Sequence, residues 1–121
     1  MNNKHQVFNN IFILKFIENN TKHLIMKLNL EFSPPFNEVT KNLFETYEFE
    51  EEITLSELIE FFGQKYGAKF IELIWEKGEK GKFNKLLSII INGRSYRDDN
   101  FLETLLKDGD QIVFIYIYFG G

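Results

Sequence analysis

Leu106-Lys107-Asp108-Gly109-Asp110, then Gln111-Ile112-Val113-Phe114-Ile115-Tyr116-Ile117-Tyr118-Phe119, then Gly120-Gly121: these sixteen residues decide how the 121-residue sequence is read. Asp-Gly-Asp is a turn signal, because Asp bonds its own backbone and Gly accepts the positive φ that turns require. Ile112 to Phe119 contains no charge and no turn former, and reads as the last strand. Both of its parities are apolar, so one row packs on a core and the other needs cover. The spacing does not say which row faces in. Uncovered apolar surface marks binding sites, which makes Tyr116, Ile117, Tyr118 and Phe119 candidates for partner contact. The two glycines lack Cβ atoms and can thread a channel closed to bulkier residues. A carboxylate at Gly121, ionised at neutral pH with a pKa of roughly 3.5, is a poor electrophile until something activates it.

The rest of the chain supplies elements for that strand to pack against. Met26, Leu28, Leu30 and Phe32 alternate with Lys27, Asn29 and Glu31, the period of a half-buried strand. Pro34-Pro35 ends it, and a polar loop is expected through about Leu43. Tyr47, Phe49 and Ile53 share one parity and Thr46, Glu48, Glu50 and Glu52 the other, which predicts a second strand with an acidic outer face. Thr54-Leu55-Ser56-Glu57 is a capping box. It opens a helix whose apolar positions are Leu55, Leu58, Ile59, Phe62 and Tyr66, with Gly67 at its C-terminal end. Ala68 to Glu76 predicts a second, shorter helix. Leu86 to Ile91 is an almost unbroken apolar run of strand length, and Asn92-Gly93 is a tight hairpin turn into a short strand over Arg94 to Tyr96. A helical turn is expected over Phe101 to Leu106.

Composition narrows the function classes. One domain is the natural reading of this length. Net charge is −4, with +2 on residues 1–25 and therefore −6 on residues 26–121, a sign that excludes nucleic-acid binding by counterion release. Cysteine is absent, which removes disulfides and thiolate chemistry and fits a cytoplasmic protein. The only histidines, His5 and His23, lie in residues 1–25, so no metal site is expected. Asp98-Asp99 and Asp108/Asp110 have the spacing of turn and cap residues rather than of an acid/base pair. Gly78 to Lys82 lacks the spacing and the Ser/Thr of a phosphate loop. Residues 1–25 are rich in Asn, too short and interrupted to span a membrane, and are expected to be a poorly ordered extension or an upstream start artefact. The domain proper is then 26–121.

The order of elements implies an α+β roll, a mixed four- to five-stranded sheet gripping one main helix. The first and last strands are expected as central parallel neighbours, with the helix as crossover. From Met26 to Gly121 the chain resembles the MoaD/ThiS-type β-grasp, ubiquitin-like sulfur carriers. The resemblance rests on Met26-Lys27-Leu28, Thr54-Leu55-Ser56-Glu57-Leu58, Ile91-Asn92-Gly93, Leu106-Lys107-Asp108-Gly109-Asp110 and Gly120-Gly121. Where that family typically carries Pro-Pro before the glycines, this chain has Tyr116-Ile117. The resemblance implies a non-catalytic carrier, the small subunit of a sulfur-transferring synthase. A ubiquitin-activating-like enzyme, using its own ATP and magnesium, would adenylate Gly121. A persulfide donor would then convert it to a thiocarboxylate, with Gly120 giving slender reach. The acceptor would be a molybdopterin synthase large subunit-like protein. Alternatives are a carrier for thiamine or amino-acid synthesis, a protein modifier, and a β-grasp binding module that is never activated.

Overall fold

A computed structural model describes residues 25–95 and 100–118. The expected extension therefore lies, apart from Ile25, outside the described residues. Five strands form one sheet: β1 (Met26–Phe32), β2 (Phe44–Phe49), β3 (Leu87–Ile91), β4 (Arg94–Ser95) and β5 (Gln111–Tyr116). Their order is β2-β1-β5-β3-β4, with β1 and β5 parallel and every other pair antiparallel. Parallel neighbours need a long crossover, and the chain between them contains the main helix, α2 (Leu55–Tyr66). This is the expected β-grasp roll.

The alternation of β1 is realised residue by residue: Met26, Leu28, Leu30 and Phe32 are buried, while Lys27 and Asn29 are exposed. The capping box also forms. The Thr54 hydroxyl accepts from the Glu57 amide at 3.1 Å, and the Glu57 carboxylate accepts from the Thr54 amide at 3.0 Å. Two of the four amide donors left over at a helix start are thus satisfied. Leu55, Leu58, Ile59, Phe61 and Phe62 form the buried stripe of α2. Gly67 ends the helix at φ 88° and ψ −167°, outside the left-handed helical region and open essentially to glycine alone.

Four details differ from the sequence expectation. The loop before Leu43 contains a short helix, α1 (Phe36–Thr40), because Phe36 turns inward and is fully buried. Strand β2 stops at Phe49, and Glu50, only 8% exposed, does not join the acidic outer face. Helix α3 covers Ala68–Ile74 rather than reaching Glu76. Trp75 takes up extended backbone there, bridges to Phe83 and stacks on its ring at 5.2 Å. The helical turn after Phe101 is a single 3-10 turn, Phe101–Glu103, since Leu105 pairs with Thr54 in a bridge. Tyr96 of the expected short strand lies outside the described residues, as do Asp98 and Asp99.

Five phenylalanines meet at the centre: Phe32 from β1, Phe36 from α1, Phe62 from α2, Phe70 from α3 and Phe114 from β5. Phe114 lies 5.6 to 6.0 Å, centroid to centroid, from each of the other four. These are the separations at which aromatic pairs gain energy beyond simple burial. Phe114→Ala is expected to lower the unfolding free energy by about 3–5 kcal/mol, measured by urea denaturation. A loss under about 1 kcal/mol would contradict the central place given to this cluster.

Candidate functional site

Strand β5 leads to the predicted site residues, and the fold holds it at both ends. At its start, two turns are knitted together. Asn92 and Gly93 both have positive φ (51° and 83°), the geometry of a two-residue hairpin turn matched to strand twist. The Asn92 amide donates to the Gln111 carbonyl at 2.8 Å, and the Gln111 amide donates to Asn92 Oδ1 at 2.9 Å. Asp110 accepts from Asn92 Nδ2 and from the Lys107 amide, both at 2.8 Å. Asp108 accepts from the Lys27 amide at 2.8 Å, which ties the turn to β1. These acids serve the turn and the sheet, as their spacing suggested.

At the far end the parity left open by the sequence is resolved. Ile112 and Phe114 are buried on the helix side, and Tyr116 follows them. Tyr116 is half-buried, its hydroxyl donates to the Leu73 carbonyl at 2.7 Å, and its ring meets Phe36 edge-on at 5.6 Å. The Ile117 amide donates to the Leu86 carbonyl at 2.8 Å. Exposure then rises, to 39% at Ile117 and 68% at Tyr118. Phe119, Gly120 and Gly121, the remaining predicted site residues, lie outside the described residues.

Val113 and Ile115 occupy the opposite parity and stand half-buried on the open face of the sheet. Ile90 is paired with Val113 on that face. At the sheet's other edge Phe44, paired with Glu31, is 70% exposed. Sequence reading passed over Phe44. The signal was present, since it shares the outward parity of Thr46 and Glu48.

Three tyrosines titrate above the usual tyrosine range, and burial is the largest cause in each. For Tyr47 the hydrogen bond shared with the Tyr66 hydroxyl adds to the rise, and for Tyr66 it opposes it. For Tyr116 the neighbouring Tyr118 adds to it. Such phenols hold their protons and supply no base at neutral pH. Among the described residues, no group of three or more His, Asp or Glu is arranged to hold a metal ion. No helix among them is long and apolar enough to cross a membrane. What the geometry offers chemically is presentation: a clamped strand whose C-terminal end emerges beside an apolar strip.

The model of the ThiS family matches residues 35–121. The chain belongs to the ThiS family. No curated protein matches it in sequence. Among solved structures it is similar to the small archaeal modifier protein 1 (SAMP1) of Methanosarcina acetivorans, at 24% identity and TM-score 0.63, over 81% of this chain and 99% of that one. A Pyrococcus furiosus protein proposed to be molybdopterin converting factor subunit 1 is 22% identical, at TM-score 0.59, over 77% and 99%. A chain of the Amycolatopsis orientalis BexX/CysO complex is 18% identical, at TM-score 0.59, over 78% and 99%. At these identities the likenesses bear on the ThiS-type fold.

Asp110→Ala removes two acceptors from the turn that starts β5, and is expected to cost about 1–3 kcal/mol of stability by chemical denaturation. A second expectation concerns pH. Each folded phenol has a raised pKa, so the unfolded chain releases its protons first. The stability they contribute is complete below the ordinary tyrosine range, about pH 10, and is lost as pH rises beyond it. Denaturation midpoints at about pH 8 and about pH 11 should show the drop, and Tyr47→Phe should reduce it.

Proposed function

We propose that this ThiS-family chain is a sulfur carrier activated at the Gly121 carboxylate, serving molybdopterin (molybdenum or tungsten cofactor) synthesis. The observation that carries the reading is that the family match runs through Gly121, while the fold holds the leading strand as far as Ile117. The chemistry is assigned to partners, because the carboxylate is inert until activated. In the adenylating partner, a Gly121 carboxylate oxygen attacks the α-phosphorus of that enzyme's ATP and pyrophosphate leaves. A persulfide sulfur then attacks the acyl carbon and AMP leaves. Cleavage of the resulting S–S bond by a thiol leaves the thiocarboxylate. The acceptor is a protein of the molybdopterin synthase large-subunit kind. The setting of this reading is the cytoplasm, and Met26–Gly121 is the sufficient unit.

The likeness to the Pyrococcus furiosus protein supports the choice of pathway. The likeness to the modifier SAMP1 supports a second reading, in which the same activated carboxyl joins lysines of other proteins. Intact mass of the protein purified from its own host is expected to show a fraction with one oxygen replaced by sulfur. An isopeptide-linked Gly-Gly remnant on other proteins would support the modifier reading instead. Deleting Gly120-Gly121 is expected to leave thermal stability unchanged, because the hydrogen bonds described for β5 end at Ile117, and to abolish sulfur loading. A variant lengthened by one residue after Gly121 that still acquires sulfur would refute the proposal.

A further inference from the structure

Leu73 is the next-to-last residue of α3, and the final carbonyls of a helix have no partner within it. The Ile71 carbonyl is taken by the Trp75 amide and the Ile74 carbonyl by the Asn84 amide. The Leu73 carbonyl is taken by the Tyr116 hydroxyl, 43 residues away, at 2.7 Å. Tyr116 is also the last residue of β5, opposite Leu87, and its ring packs edge-on against both Phe36 and Tyr118. The next backbone bond, from the Ile117 amide to the Leu86 carbonyl, is the last one described. Three ties to three different segments thus converge on two residues, immediately before the exposed Tyr118.

We infer that Tyr116 is a positioning residue: bound to the Leu73 carbonyl, it fixes the direction in which the C-terminal segment leaves the sheet. This rests on the reading of Gly121 as the activated end. Tyr118 to Gly121 span at most about 14 Å, so where the strand is released decides what the terminus can reach. A segment released in one direction meets a partner's channel already aligned. If the hydroxyl is removed, the aligned arrangement is only one of several, and the apparent affinity falls by its population. Once the segment is in the channel, the partner holds it and turnover is unaffected. A cap on α3 with no positioning role would change stability alone.

The test uses Tyr116→Phe, which keeps the ring against Phe36 and loses only the hydroxyl. Sulfur loading is followed by intact mass with the host's adenylating enzyme, ATP, magnesium and persulfide donor. The expected result is a rise in KM for the carrier of about fivefold, the factor that corresponds to one net hydrogen bond of roughly 1 kcal/mol, with kcat unchanged. In the free protein, heteronuclear NOE values at the Ile117 and Tyr118 amides are expected to fall in the variant. An unchanged KM, whatever happens to the melting temperature, overturns the inference. So do unchanged NOE values, because the tether then holds nothing. If wild-type protein acquires no sulfur, the reading of Gly121 fails instead, and the NOE comparison still decides whether Tyr116 fixes the strand end.

Discussion

Phe114 is the side chain on which the geometry of the C-terminal strand depends. It sits among one phenylalanine from each of four other elements, β1, α1, α2 and α3, all of them distant in sequence. A strand has a side-chain period of two, so a slip of one residue would expel Phe114 and bury Val113 in its place. The exchange would put a smaller side chain where a fully buried ring now sits and leave a cavity among the other four rings, which is costly. The register of β5 is therefore set by the core. Everything that follows in sequence inherits it: Tyr116 must face the helices, and Ile117 must face out.

Which parts of this arrangement could be read beforehand follows from physics that is local or not. The alternation of β1, the Thr54-Glu57 capping box and the Asn92-Gly93 turn each depend on residues a few positions apart, and each is realised. The facing of β5 depends on distant rings, and a strand apolar on both parities carries no local record of it. Helix α1 is too short for a periodic signal and exists because Phe36 is drawn into the cluster. Trp75 leaves the helical path because its indole gains a stacked partner in Phe83. At the site, the candidates from Tyr116 to Tyr118 were legible as an apolar run, but their division into one inward and two exposed residues was not. The Tyr116–Leu73 tie joins residues 43 positions apart and has no sequence signature.

The clamp at the start of β5 and the ties at its end differ in kind. At the start, Asn92, Asp108 and Asp110 are exposed or nearly so and work through hydrogen bonds that water can also supply. Their net worth is modest, and what they fix is register between two turns. At the end, the Tyr116 hydroxyl is shielded enough for its pKa to be raised. The bond is part-buried, and its loss leaves the Leu73 carbonyl without this donor. The strand is thus held at both ends, by acidic turn residues at its start and by a part-buried phenol where the described hydrogen bonds stop.

On the proposed reading, in which partners act on the terminus, that placement has an energetic rationale. Every residue that must be ordered on entering a partner's channel costs about 1–2 kcal/mol of backbone entropy. Residues already fixed in the free protein, as Tyr116 and Ile117 are, add nothing to that cost. Fixing more of the chain would shorten its reach, and fixing less would add ordering cost to each encounter. On that same reading, the strip of Val113, Ile115 and Ile117 beside the fixed strand end is the surface a partner would contact as the segment enters.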